Sequence, residues 1–231
     1  KGQIQLENFT ENEIANHYID QYSSILPANK NVKILDIGVG EGWFASICYK
    51  LGYQHVELAD FGCKSKFSEI KENLDEVQAL HDIETSIKDL LQQGKFFDQY
   101  DFIHMSHVIE HIPKYDLIAT MDALNNSLGR HGQLFIRTPN LLGPVPFNSL
   151  YCTAGHEYGF VPSNLDQFFQ ISNFERIKIH NLEIPAKGFS QIIGRMLRKL
   201  YMLNEKIKFR AFEGVYPESV QPELIMSGYK K

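Results

Sequence analysis

Residues 32–44 read VKILDIGVGEGWF, and this stretch decides how the rest of the chain is organised. Val32, Ile34, Leu35 and Ile37 form a short apolar run rich in β-branched residues, with Asp36 near its end. Gly38, Gly40 and Gly42 follow before a helical pattern resumes. The pattern predicts strand, tight turn and helix. Alternating glycines tolerate positive φ and carry no β-carbon to hold a ligand away from the backbone, while the next helix aims unpaired N–H groups at the same spot. Such a cradle suits an adenosine-bearing cofactor.

Three nucleotide-binding loops compete for this pattern. A phosphate-binding P-loop ends in Gly-Lys-Ser/Thr, and no such tripeptide follows. A dinucleotide loop wants a third small residue for close helix packing, but that place holds Trp43, the only tryptophan in the chain. What remains, Asp36-Ile37-Gly38-Val39-Gly40-Glu41-Gly42, resembles the first motif of class I S-adenosylmethionine-dependent methyltransferases. A structural glycine turn in another α/β domain is the alternative. The resemblance implies that Asp36, Gly38, Val39, Gly40, Gly42 and Trp43 contact S-adenosyl-L-methionine.

The composition is that of a globular chain: 231 residues, 43% hydrophobic and 22% charged, enough to bury the core of one α/β domain. A net charge of −5 offers no general field for nucleic acid or an acidic membrane, so any such partner needs a local patch. Cys48, Cys63 and Cys152 have no metal-type spacing and read as unpaired, buried thiols in a reducing, cytoplasmic setting. No apolar run is long enough to span a bilayer, and no signal-peptide pattern opens the sequence. The chain begins at Lys1, from which a trimmed N-terminus is expected.

Thr10 and Glu13 form a capping box ahead of Ile14, Tyr18, Ile19, Tyr22 and Ile25, which predicts an amphipathic helix over residues 10–26. In the methyltransferase resemblance such a helix covers the cofactor; plain packing on the sheet is the competing expectation. A helix over 43–51 capped by Gly52 and a strand over 55–59 ending at Asp60 complete one βαβ step. An acid there accepts hydrogen bonds from ribose hydroxyls. Asp60 with Phe61 fits that role. A helix over 67–75 and a strand over 77–80 follow, and the resemblance assigns Asp82 and Ile83 to the adenine.

The second informative stretch, residues 100–113, reads YDFIHMSHVIEHIP. A strand over 101–105 leads into Ser106-His107-Val108-Ile109-Glu110-His111, similar to the post-strand segment of many small-molecule O-methyltransferases, including the ubiquinone O-methyltransferase group. Ser106 and His107 are therefore expected beside the cofactor, and His107, His111 and Glu110 at the catalytic centre. His107-x-x-Glu110-His111 also spells an inverted zinc-protease motif, but that belongs inside a helix, and here it follows a strand and meets Pro113. The ubiquinone group can bind a metal through acids and a histidine in this segment. His107 replaces the first of those acids and no further ligand is evident, so a metal-free site is expected.

A helix over 114–128 is broken by Gly129 and Gly132, and GQLFIRTPN, a strand over 133–137, resembles its counterpart in methyltransferases acting on sugars, glycan precursors and quinones. An irregular binding loop follows, with Ser163 capping a helix over 164–171. Within it, Gly155 to Phe160 resembles the His-x-x-x-Phe pattern of those families, making His156 a further catalytic candidate. A long strand over 174–184, a helix within 185–203 and a last strand over 223–230 complete the reading.

The expected fold is α/β: a Rossmann-like, seven-stranded, mostly parallel sheet with helices on both faces and the last strand antiparallel. It forms one methyltransferase domain over 1–231, with 185–217 as a helical insertion. The expected activity is methyl transfer from S-adenosyl-L-methionine to a hydroxyl of a small molecule, a sugar or glycan precursor. Nitrogen or RNA methylation and a noncatalytic cofactor-binding scaffold are the alternatives. Arg195, Arg198, Lys199, Lys206, Lys208 and Arg210 suit a phosphate-bearing acceptor, and the apolar side of residues 188–210 suits a peripheral membrane contact or a homodimer.

Overall fold

The structure, a computed structural model, describes residues 19, 22–62, 79–181 and 189–231. One seven-stranded sheet runs through it in the order β3-β2-β1-β4-β5-β7-β6. The strands are β1 (Lys33–Ile37), β2 (His55–Phe61), β3 (Ala79–Ile83), β4 (Tyr100–Ser106), β5 (Leu128–Pro139), β6 (Phe174–Ile179) and β7 (Glu223–Lys230). β1 to β5 pair in parallel, and β7 lies antiparallel between β5 and β6. The helices are α1 (Trp43–Lys50), α2 (Ile87–Leu91), α3 (Leu117–Ser127), α4 (Pro146–Tyr151), α5 (Pro162–Ile171) and α6 (Phe189–Glu213).

Alternation along the strands builds two cores. Leu35, Ile37, Ile103, Met105, Leu134 and Ile136 face one side and meet Leu91, Leu117, Met121, Leu124, Leu165 and Phe169. Ile34, Phe102, Phe135 and Ile225 face the other and meet Tyr22, Phe44, Ile47 and Cys48. A parallel sheet covered on both faces needs near-continuous apolar strands, and the buried positions of β1 and β4 are apolar except at Asp36 and His104. Those two polar residues lie on the second face, close to the C-terminal ends of their strands.

Several boundaries differ from the sequence reading. The segment from Ser23 turns back on Tyr22, whose carbonyl accepts from Ile25 and Leu26, so helix gives way to turn before residue 26; most of the leading helix, the helix over 67–75 and Cys63 lie outside the described residues. β3 runs to Ile83, placing Asp82 within the strand opposite Asp60 instead of after it. β5 starts at Leu128, not residue 133. The register shift between Tyr100 and Phe102 absorbs Gly129 and Gly132, and a β-carbon on Gly132 would lie 2.8 Å from the Tyr100 carbonyl oxygen. The loop after β5 contains α4. Helix α5 begins two residues early because Pro162 suits its first turn, and Asn164 Oδ1, not Ser163, caps it by accepting from Val161 N at 2.8 Å. β6 stops at Ile179, its pairing shifted where Arg176 takes φ 50°, and α6 continues ten residues past the expected end. Cys48 is buried and Cys152 is exposed, contrary to the expectation of burial.

Candidate active site

The glycine loop leaves β1 with Gly38, Gly40 and Gly42 at φ 79°, 54° and 77°, a left-handed series that side chains with a β-carbon resist. Gly38 N donates to Ala59 O at 2.8 Å, tying the loop to β2. A β-carbon on Gly38 would lie 2.1 Å from Val108 Cγ2, so the loop also touches the segment after β4. Among the described residues nothing lies within 4 Å of where a β-carbon on Gly40 would stand. The loop is thus closed against protein at Gly38 and open at Gly40, the shape of a backbone cradle for a ligand.

Two acids stand near the C-terminal ends of the adjacent strands β2 and β3. Asp60 and Asp82 are register partners, both partly exposed, and Asp60 Oδ1 accepts from Phe61 N at 2.7 Å. Phe61 is half exposed, whereas Ile83 and Val39 are buried in the two cores. Trp43 opens α1 partly buried, and Ser106 closes β4 in a similar setting.

Asp36 points away from the solvent. Its Oδ1 meets His104 Nδ1 at 2.7 Å, and His104 Nε2 meets the Tyr22 hydroxyl at 3.2 Å. Phe44 stacks on the His104 ring at 3.7 Å. Burial raises the Asp36 carboxyl pKa above its ordinary value, and His104 works against that rise. The second oxygen, Oδ2, is buried without a hydrogen-bond partner and is free to accept one.

His107 takes φ 55° directly after β4, a turn held by its N–H on Arg137 O at 2.8 Å. Its Nε2 meets Glu223 Oε1 at 3.1 Å, and its Nδ1 stands 3.3 Å from Glu110 Oε1, an ion-pair distance without hydrogen-bond alignment. Burial lowers the His107 pKa, but the two carboxylates beside it, Glu110 and Glu223, outweigh it and bring it to about 9. His107 therefore carries its proton at neutral pH and donates it. Glu223 also binds Arg137 through Nε at 2.6 Å. Burial raises the Glu223 pKa, and His107 with Arg137 more than reverses this, to about 2.

Three groups converge one turn further on. Tyr158 N and Glu157 N both donate to Glu110 O, at 3.2 and 2.7 Å, which brings the loop after α4 against the segment after β4. His111 and His156 then stand edge to face with ring centres 4.7 Å apart. One ligand atom from each of Glu110, His111 and His156 lies within 4.8 Å of the others. His111 Nδ1 donates to Gly155 O at 2.8 Å, and His156 Nδ1 donates to Ser149 O at 2.9 Å. A carbonyl only accepts, so each Nδ1 carries a proton, and in the neutral tautomer this leaves the lone pair on Nε2. Glu110 Oε2 accepts from Thr138 Oγ1 at 3.0 Å, while Oε1 has no hydrogen-bond partner. Such a set can take a proton from an acceptor or hold a divalent cation, and the anchored Nδ1 atoms are the orienting contacts that ligating histidines have. His156 is a third potential ligand, brought in from outside the segment after β4.

Sequence reasoning missed Glu223, Arg137, His104 and Tyr22. His104 was visible as a polar residue in a buried strand; Glu223 lies 116 positions from His107, and only strand pairing joins them.

A methyltransferase-domain family model matches residues 9–179. A search of curated proteins finds no match. Solved structures of the same fold include an S-adenosylmethionine-dependent methyltransferase from Archaeoglobus fulgidus, at TM-score 0.65 and 16% identity over 94% of both chains. A putative O-methyltransferase from Nostoc punctiforme aligns at TM-score 0.58 and 14% identity, over 94% of this chain and 56% of that one. Phosphoethanolamine N-methyltransferase 2 from Haemonchus contortus, bound to S-adenosyl-L-methionine, aligns at TM-score 0.59 and 15% identity, over 93% and 52%. The glycine cradle, the strand order and the family match lead to one conclusion: this chain belongs to the methyltransferase-domain family, as a class I, S-adenosylmethionine-dependent methyltransferase.

Proposed function

We propose that the chain transfers a methyl group from S-adenosyl-L-methionine to a hydroxyl of a small molecule, a sugar or glycan precursor. The observation that carries this reading is the pair of histidines, His111 and His156, each with its Nδ1 anchored on a backbone carbonyl and both beside the carboxylate of Glu110, next to the segment that touches the glycine loop. A hydroxyl is a poor nucleophile until its proton is removed, and a neutral imidazole is the side chain best matched to that task near pH 7.

S-adenosyl-L-methionine supplies an electrophilic methyl group when bound. Gly38, Gly40 and Gly42 would cradle it with backbone N–H groups, Asp60 would accept from its ribose, and Asp82 would face the adenine. Asp36, with one buried oxygen unpaired, would accept a hydrogen bond from its charged amino group. His156 or His111 takes the acceptor's proton, each ring oriented by the carbonyl on its Nδ1, with the Glu110 carboxylate beside them. His107, already protonated, serves as a donor and holds Glu223 in place. Holding the acceptor in line is worth roughly 7–11 kcal/mol in favourable cases, and a positioned base about 10²–10⁴-fold more.

A second reading rests on the same three residues. Glu110, His111 and His156 fit a divalent cation, which when bound would polarise the acceptor oxygen. Screening the protein with labelled methyl donor against sugar nucleotides, glycan precursors, phenols and amines tests the acceptor class. Methylation of an amine and of no hydroxyl compound overturns the hydroxyl reading. Turnover abolished by chelator and restored by magnesium or zinc favours the cation over a free base. Turnover unchanged in both His111→Ala and His156→Ala removes the histidines from either role.

A further inference from the structure

Helix α6 carries two apolar faces, and the fold uses one of them. Met202 and Phe209, two turns apart, are partly buried toward the rest of the molecule. Away from it Ile192, Ile193, Met196, Leu200 and Ile207 recur three, four and seven residues apart and form a stripe, with Leu203 at its edge, where it also lines the cavity that Met202 shares with Val220 and Gln221. All six are between 42% and 61% exposed. A continuous exposed stripe of this length is unusual for the surface of a globular protein.

Charge is segregated along the same helix. α6 holds six basic residues and two acidic ones, a net +4, in a chain whose overall charge is −5. The rest of the molecule is correspondingly acidic. At 3.6 residues per turn, Arg210 falls along one margin of the stripe and Lys208 along the other, while Lys199 and Lys206, next to Arg210, border the cavity that Glu218 also lines. Among the described residues no helix is long and apolar enough to cross a membrane.

We propose that α6 lies flat on an anionic membrane surface, its stripe sunk among the acyl chains and its basic margins against lipid phosphates. Long basic side chains at the edges of an apolar stripe can bury their stems while keeping their charges at the headgroup level. Charge complementarity selects this occupant over a second copy, because pairing two α6 helices would bring two +4 segments together. The proposal is independent of which acceptor atom is methylated.

Co-sedimentation of the full chain with two kinds of vesicle tests it: phosphatidylcholine alone, and phosphatidylcholine mixed with phosphatidylglycerol. Binding is expected to the mixed vesicles only and to weaken as salt rises. Lys208→Gln/Arg210→Gln should weaken it by roughly tenfold or more, at the expected increment per basic residue. Leu200→Glu/Leu203→Glu should abolish it. Both pairs are exposed, so unchanged helicity and S-adenosyl-L-methionine affinity report an intact fold. Absence of binding to mixed vesicles overturns the proposal, as does equal, salt-insensitive binding to both kinds. A dimer in light scattering that Leu200→Glu/Leu203→Glu dissociates, with no vesicle binding, assigns the stripe to a second copy instead.

Discussion

Gly38 and Val108 are seventy positions apart in the chain and in contact at the site: a β-carbon on Gly38 would stand 2.1 Å from Val108 Cγ2. The two informative stretches of sequence thus meet at one point. The glycine there serves two ends, positive φ and close approach, and only the second depends on its neighbour.

Gly38→Ala is expected to lower S-adenosyl-L-methionine affinity by about tenfold or more, since left-handed strain alone costs roughly 1–2 kcal/mol. Adding Val108→Ala should restore part of the loss by removing the clash and leaving the strain. Calorimetry on the single and double variants checks this. An affinity for Gly38→Ala equal to that of the parent chain would show that the contact does not shape the cradle.

At Gly40 the space is open, so a side chain there meets the ligand before it meets the protein. Gly40→Val should block cofactor binding while leaving the protein folded, with only backbone strain to lower its melting temperature. Asp60→Ala should weaken binding by roughly 1.5–3 kcal/mol, the range for a hydrogen bond to a charged group. Unaltered affinity in both variants would move the cofactor elsewhere.

The His107–Glu223 contact makes a prediction about pH. His107 has a folded pKa of about 9 against an ordinary 6.5, so its stabilising contribution is complete below 6.5 and fades as pH rises through 9. Glu223 is displaced the other way, to about 2 from 4.5, so its contribution is complete above 4.5 and fades as pH falls toward 2. Nearly half of the His107 side chain is exposed, so water screens the pair and the effect on stability is small. An NMR titration should find His107 protonated at pH 7.5 in the parent chain, with its midpoint lowered in Glu223→Gln. A midpoint near 6.5 in the parent would return His107 to the list of bases.

Glu57 offers a second pH test away from the site. It accepts from Tyr100 Oη at 2.6 Å and His81 Nε2 at 2.8 Å, and pairs with Lys33 Nζ at 2.8 Å. Burial raises its pKa, and these hydrogen bonds outweigh the rise and bring it from 4.5 to about 2. The resulting stability, on the order of 3 kcal/mol at 1.36 kcal/mol per pKa unit, is present above pH 4.5 and lost as pH falls toward 2. Acid unfolding of Glu57→Gln should begin from a lower plateau and be less steep over that interval.

What the sequence determined by itself was local. Strand, glycine turn and helix over residues 32–50 follow from nearest-neighbour chemistry, because β-branched runs, positive-φ glycines and helical spacing act within a few residues of one another. The last strand was legible at its true limits for the same reason. Boundaries failed where a long-range partner overruled local preference. Gly129 and Gly132 look like breakers, yet the bulge against Tyr100 keeps them in β5. Roles were decided by the tertiary structure. His107, His111 and His156 are equivalent as letters, but two carboxylates hold a proton on His107, while backbone carbonyls fix the protons of the other two on Nδ1. A histidine's chemistry is set by what its two nitrogens face, and apart from Glu110 those partners come from α4, the loop after it and β7, segments that only folding brings beside the end of β4.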